Sequence, residues 1–122
     1  MLTPLEFFFV EEFCRIVGIS AEHIDQLRVL GRHRNPVGFM TEIDHDTVPQ
    51  QLRWSGGVFD TLRVAVVGPE GATCGSLLFF DKTSGLLDQI EGYVYGEKWP
   101  ETESPVFWSE TERVGSGLHR QN

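Results

Sequence analysis

The feature that most constrains the fold is a strand-turn-strand pattern in residues 75–96. Two apolar and aromatic runs flank the polar segment Asp-Lys-Thr-Ser-Gly at residues 81–85. Gly85 can adopt a positive φ without steric cost, which such turns require. The pattern predicts a β-hairpin. It does not combine a nucleophile, a base and an anion cradle, so it indicates a fold and no reaction.

The length of the chain, 122 residues, allows a buried core without disulfide bonds. Residues 1–110 are predicted to form a single α+β domain, and residues 111–122 a flexible C-terminal tail. Cys14 and Cys74 lie in apolar runs, where buried thiols are expected. The N-terminus lacks the basic region and cleavage site of a signal peptide, and Glu11 and Glu12 interrupt its apolar run. We therefore expect a cytoplasmic protein with no membrane segment.

Helix signals begin at Thr3, which can cap a helix while Glu6 completes a capping box and Pro4 occupies the first position. The apolar residues that follow repeat at helical spacing and predict a buried face, namely Leu5, Phe8, Phe9, Phe13 and Ile16. Gly18 is a suitable terminator for this helix. Ser20 is a possible start for a short second helix.

Strand signals replace helical spacing after residue 26. Residues 27–34 and 37–43 are predicted to form two strands joined by a turn at Asn35-Pro36. Residues 44–55 are polar, contain a proline and are predicted to form a loop.

A further strand is expected to begin near Gly57, because four apolar residues keep nearly to one face: Val58, Leu62, Val64 and Val66. Residues 106–108 are expected to add an edge strand. The predicted fold class is therefore α+β, with one or two N-terminal helices packed on an antiparallel sheet of about five strands.

The succession of these elements resembles a group of small bacterial proteins. The succession begins with the N-terminal helix, the strand Gly38-Phe39-Met40-Thr41 and a strand from Gly75 to Phe79-Phe80-Asp81. Leu86-Leu87 then leads through Ile90-Glu91-Gly92-Tyr93 to Trp99-Pro100. Some proteins of this kind are immunity proteins of polymorphic toxin systems, which block a cognate toxin by binding it. The resemblance spans residues 5–100 and implies a fold and a binding function. It carries over no functional residue.

The formal net charge of −8 disfavours nucleic-acid binding, because a phosphate backbone is bound mainly by Lys and Arg. It favours a basic protein partner. Acidic residues concentrate in residues 81–112, where Lys82 and Lys98 are the only Lys or Arg residues. This segment is either a solvated face that keeps the protein soluble or a docking surface for a cationic partner.

Residues 42–46, Glu-Ile-Asp-His-Asp, bring carboxylates and an imidazole close enough in sequence to hold a divalent cation. Strand alternation would turn His45 away from the carboxylates, and no second His or Cys ligand follows at a metal-binding spacing. We predict no metal, no other cofactor and no catalytic residue. Arg28, Arg32 and Arg34 alternate on one predicted solvent-facing strand face, where pairing with nearby acids is favoured over anion binding.

Two classes of function fit these observations. The first is an interaction protein, most concretely an immunity protein that occludes the basic active site of a toxin with carboxylates and an aromatic anchor. Its predicted partner-binding residues are Asp88, Glu97, Trp99, Glu101 and Glu103, followed by Asp44 and Asp46. In an alternative interpretation Trp99 folds back over the sheet edge. The second class is a small enzyme or ligand-binding protein whose pocket lies between helix and sheet, with Asp44, His45, Arg32 or Arg34 at its mouth.

Overall fold

The computed structural model describes residues 1–96 and 98–112, the last three by their backbone alone. The described residues form one α-helix and seven strands: α1 (Pro4–Val17), β1 (Val29–Asn35), β2 (Gly38–Ile43), β3 (Val58–Asp60), β4 (Arg63–Val67), β5 (Ala72–Phe80), β6 (Leu87–Val94) and β7 (Val106–Glu112). Short 3₁₀ turns occur at Ile24–Gln26, His45–Thr47 and Gln50–Leu52. Of the predicted C-terminal tail, residues 113–122 lie outside the described residues, and β7 continues to Glu112.

The α+β class is confirmed, but the sheet has seven strands in the described part of the chain, more than the predicted five. The strand expected from Gly57 is divided into β3 and β4, and the edge strand expected at residues 106–108 forms as β7. No helix among the described residues is long and apolar enough to cross a membrane.

Helix α1 begins and ends where its capping residues predict. The Glu6 backbone N–H donates to Thr3 Oγ1 at 3.1 Å, and the Thr3 N–H donates to Glu6 Oε1 at 2.8 Å. These bonds satisfy backbone donors that the first helical turn leaves without partners. At the other end Gly18 adopts a φ of 78°, and its N–H donates to the Cys14 carbonyl. The possible second helix is a single 3₁₀ turn at Ile24–Gln26.

The sheet is antiparallel and follows the order β1-β2-β6-β5-β4-β7, with β3 pairing beside β4 along the same edge of β5. The predicted hairpin is confirmed as β5 and β6. In its turn Asp81 Oδ1 accepts hydrogen bonds from the N–H groups of Thr83 and Ser84, and Gly85 has a φ of 74°. The local turn chemistry therefore sets the register of the central pair of strands.

The core lies between α1 and one face of the sheet, which we call the covered face. Phe13 packs edge-on against Phe59 and tilted against Phe80, with ring centroids 5.1 and 4.9 Å apart, and Phe8 stacks on Trp108 of β7 at 3.9 Å. A fully buried Phe side chain contributes on the order of 2 kcal/mol to folding. The opposite side of the sheet is called the open face.

The apolar residues of β3 and β4 lie on both faces of the sheet, and Leu62 between the two strands is buried. Val58, Val64 and Val66 do share a face, but it is the open face, whereas Phe59 and Ala65 are buried against α1. Both alternating sets of this segment are apolar, so the sequence pattern does not decide between them. Packing of Phe59 on Phe13 decides it.

The arginines that were predicted to face solvent, Arg28, Arg32 and Arg34, are all exposed, which confirms the prediction. Arg32 is opposite Thr41 and Arg34 is opposite Phe39, and both of these β2 residues are buried on the covered face. Both arginines therefore lie at the rim of the covered face. Their predicted pairing with acids is confirmed, with Glu6 for Arg32 and Glu103 for Arg34.

Candidate partner-binding site

Three of the predicted partner-binding residues come together in one groove. Asp44 and Asp46 follow the end of β2, and Asp88 lies at the start of the neighbouring β6. With the side chains of Glu42 and His45 they line an indentation of about 440 Å³, which we call the acidic groove. Among the described residues, no Lys or Arg lines it.

Local hydrogen bonds fix the shape of the acidic groove. Asp44 caps the 3₁₀ turn at His45–Thr47, and its Oδ1 accepts from the Asp46 N–H at 3.0 Å. The Thr47 hydroxyl donates to the Asp44 carbonyl at 2.7 Å. The turn changes the direction of the chain, so that His45 Nε2 lies 2.8 Å from Asp88 Oδ1. The alternation of a continuing strand was expected to turn His45 away from the acids. Strand β2 ends at Ile43, so this alternation does not reach His45.

The chemistry of the acidic groove is that of an open, negatively charged surface. Four carboxylates share it with one imidazole, and Glu42 also pairs with His33 at 3.0 Å. No group of three or more His, Cys, Asp or Glu side chains in the described ranges has an arrangement that could hold a metal ion. Exposed contacts of this kind add little stability, but the four carboxylates together attract basic groups. The groove can therefore bind cationic side chains.

Trp99 and Glu103 lie at the opposite end of the sheet, beside the turn between β1 and β2. The Trp99 backbone N–H donates to the Pro36 carbonyl at 2.7 Å, and its ring packs edge-on against Phe39 at 5.2 Å. Its indole N–H donates to Glu103 Oε2 at 2.9 Å, and Arg34 donates to the same oxygen at 3.0 Å. Trp99 and Glu103 are thus engaged within the chain.

The other two predicted residues of this segment are Glu97 and Glu101. Glu101 is exposed to solvent. Glu97 lies outside the described residues. The predicted site is thus divided between the two ends of the sheet, and the open carboxylates are concentrated at the groove.

Two buried carboxylates, which the sequence did not mark as ionic sites, lie on α1. Arg32 donates to both oxygens of Glu6 at 2.8 and 2.9 Å, and the Thr41 hydroxyl donates to it as well. Burial raises the pKa of Glu6, but these hydrogen bonds outweigh it and hold the pKa below its ordinary value. The capping box was the only sequence signal at Glu6, and it does not predict the bond to β1.

Glu12 is held in the same way near the other end of α1. Arg15 donates to it at 2.9 and 3.0 Å, and Arg63 of β4 donates at 3.0 Å while lying over the Trp108 ring. Burial raises the pKa of Glu12, and the two guanidinium groups lower it below its ordinary value. We call Glu6 and Glu12 the buried acids. They join the helix to both flanks of the sheet.

The two cysteines are free thiols and both are buried, as expected. Burial raises the pKa of the Cys14 thiol to about 11 and that of Cys74 to about 12. Because the nucleophilic form of cysteine is the thiolate, neither side chain is prepared for covalent catalysis at neutral pH.

An apolar pocket of about 350 Å³ lies between the start of α1 and the 3₁₀ turn at Ile24–Gln26. Its lining is mainly Leu2, Pro4, Phe7, Ile24 and Leu27. The polar residues expected at the mouth of a ligand pocket, Asp44, His45, Arg32 and Arg34, do not line it. This pocket can hold an apolar group but offers little for its orientation.

Comparison with known proteins gives no match among protein-family models, curated proteins or solved structures. The interpretation of the acidic groove therefore depends on its own geometry and charge.

Proposed function

We propose that this protein is a protein-binding domain whose acidic groove engages a basic partner, most concretely an immunity protein that occludes the active site of a cognate bacterial toxin. The observation that supports it is the convergence of Asp44, Asp46 and Asp88 from separate segments into one groove whose described lining holds no Lys or Arg. Carboxylates placed in a basic cleft substitute for the charge of an anionic substrate and accelerate association.

The test begins with isolation of the partner from the organism that encodes the protein, using the tagged full chain as bait. Binding kinetics are then measured for the wild type and for the double variant Asp46→Lys/Asp88→Lys. Charge reversal in the groove should slow association by at least about tenfold and weaken its dependence on salt.

The matched control is Glu70→Lys, an exposed acid in the turn between β4 and β5. It changes the net charge in the same direction, but at a turn remote from the groove in the sheet order. If Glu70→Lys and the single variant Asp46→Lys slow association equally, the association rate depends only on the total charge of the protein. An acidic partner, or association that the double variant does not alter, would contradict the proposal.

A second candidate function is binding of a small apolar ligand in the pocket beside Phe7, which its mainly apolar lining favours. Enhancement of the fluorescence of an apolar dye, abolished by filling the pocket with Leu2→Trp in a variant that remains folded, would support it. Dye binding that is unchanged by this substitution would contradict it.

A further inference from the structure

The open face of the sheet carries apolar side chains where an antiparallel sheet exposed to water normally carries polar ones. The strand register identifies its members. Met40 is opposite Glu91, which is opposite Leu77 on its other side, and Phe79 is opposite both Gln89 and Val58. Helix α1 packs on the other face, so these side chains contribute little to the core that it forms.

The exposure of this face is substantial at its margins. Val58 and Tyr95 are each 44% exposed, and Phe107 of β7 is 52% exposed. Phe107 is opposite Val66, which belongs to the same face. Apolar side chains exposed together on one face of a sheet are a mark of interaction sites.

Two tyrosines cover the backbone of β5 on the open face. A Cβ atom at Gly75 would lie 2.7 Å from Tyr95 Oη and 2.9 Å from Tyr93 Oη, so a larger residue at this position would displace both rings. The rings contact each other edge-on with centroids 5.5 Å apart. Glycine thus leaves room for both rings over β5, and tyrosine is enriched in the contact centres of protein interfaces.

The open face is continuous with the acidic groove. Glu42 and Gln89 are cross-strand neighbours that line the groove, and Gln89 pairs in turn with Phe79. Glu91 lies between Met40 and Leu77, so a carboxylate stands within the apolar surface. An interface of apolar and aromatic residues with an acidic border is complementary to an apolar surface with a basic border.

We propose that the open face is the main docking surface for the basic protein partner, with Tyr95, Leu77 and Met40 as its apolar contacts and the acidic groove as its charged border. The inference rests on the proposed function and extends it from the groove to the sheet. A second copy of the chain is a poorer occupant, because each copy has a net charge of −8 and places Glu91 among the same contacts.

The experiment uses the basic partner isolated as above. The two methionines of the chain provide a footprint with an internal control. Met40 is on the open face, whereas Met1 is 85% exposed beside α1. Saturating partner should protect Met40 from oxidation and leave Met1 unprotected. Tyr95→Ala should raise the Kd at least about tenfold in a variant that remains folded, and Tyr95→Phe should keep the affinity of the wild type.

The outcomes separate this inference from the proposed function. If Met40 is not protected and Tyr95→Ala binds like the wild type, while Asp46→Lys/Asp88→Lys slows association, the docking surface is wrong and the proposed function stands. Recovery of no basic partner overturns both. A concentration-dependent dimer in which Met40 is protected without partner overturns the inference in favour of a second copy.

Discussion

The buried acids and the acidic groove contain the same functional group in opposite situations. Glu6 and Glu12 are 1% exposed, and each accepts hydrogen bonds from a guanidinium group of the sheet. In the groove, Asp46 and Asp88 remain exposed. The comparison shows that the negative charge of this chain lies in two environments. One part stabilises the contact between helix and sheet, and another part stays exposed to water.

Burial explains why the two groups differ. A carboxylate taken out of water must regain its lost hydration through hydrogen bonds and opposite charge. The buried acids therefore have nearly complete sets of partners, supplied by α1 and by the strands. The groove carboxylates keep their hydration and need few partners, so they can exchange water for the cations of another protein.

The largest expected effect is at Glu6. Glu6→Ala leaves the Arg32 guanidinium and the Thr41 hydroxyl without their acceptor and removes half of the capping box. We expect the free energy of unfolding to fall by about 3 kcal/mol, measured by urea denaturation. The matched control Glu11→Ala changes an exposed acid of the same helix and should stay within about 0.5 kcal/mol of wild type. Equal effects would contradict the structural role of the buried acids.

The pH dependence of stability distinguishes the two groups next. The pKa values of Glu6 and Glu12 in the folded state lie below the ordinary value of 4.5, so their contribution is complete well above that pH. As the pH falls through 4.5, the unfolded chain binds protons before the folded chain does. The contribution of the two carboxylates to the free energy of unfolding then decreases, and it is lost once the pH has fallen below their folded-state pKa values. The double variant Glu6→Gln/Glu12→Gln should therefore show a shallower loss of unfolding free energy between pH 6 and 3. Parallel curves for wild type and variant would contradict this assignment.

A smaller effect is expected at Glu103, which is intermediate between the two groups. Its carboxylate accepts from Arg34 and from the Trp99 indole, but it is partly exposed. Glu103→Gln should lower the free energy of unfolding by about 1 kcal/mol in urea denaturation. Glu101→Gln, in the same segment and exposed, should leave it unchanged. The proposal that Trp99 is held in place by Glu103 fails if both variants unfold alike.

The sequence predicted the elements with strong local signals. The capping residues of α1 and the Asp81 to Gly85 turn act within a few residues, so their outcome does not depend on distant parts of the chain. The sequence did not show which face of β3 and β4 is buried, because this depends on the contact of Phe59 with Phe13, a residue 46 positions earlier. Long-range packing of this kind is not encoded in the periodicity of one segment.

The candidate site was predictable only in part for the same reason. The sequence selected Asp44, Asp46 and Asp88 from local charge, but their meeting depends on the pairing of β2 with β6. The contact of His45 with Asp88 joins residues 43 positions apart. The segment around Trp99 was selected by its composition, and its composition does not reveal the bonds to Pro36 and Arg34. Charge patterns locate acidic segments, whereas topology decides which of them are open.

The smallest stability effect is expected in the acidic groove itself. Asp46→Asn removes one of several like charges from an open surface, so repulsion decreases, and its side chain makes no hydrogen bond within the part of the chain that the structure describes. The free energy of unfolding should change by no more than about 0.5 kcal/mol, in the stabilising direction, and the difference should shrink as salt shortens the screening length to about 8 Å at 0.15 M. Urea denaturation at low and physiological salt measures both quantities. Loss of more than about 1 kcal/mol would place Asp46 with the buried acids and remove the contrast between the two groups.

Asp44 provides the internal comparison, because its Oδ1 caps the 3₁₀ turn. Asp44→Ala should therefore cost about 1 kcal/mol, whereas Asp44→Asn keeps the acceptor and should behave like Asp46→Asn.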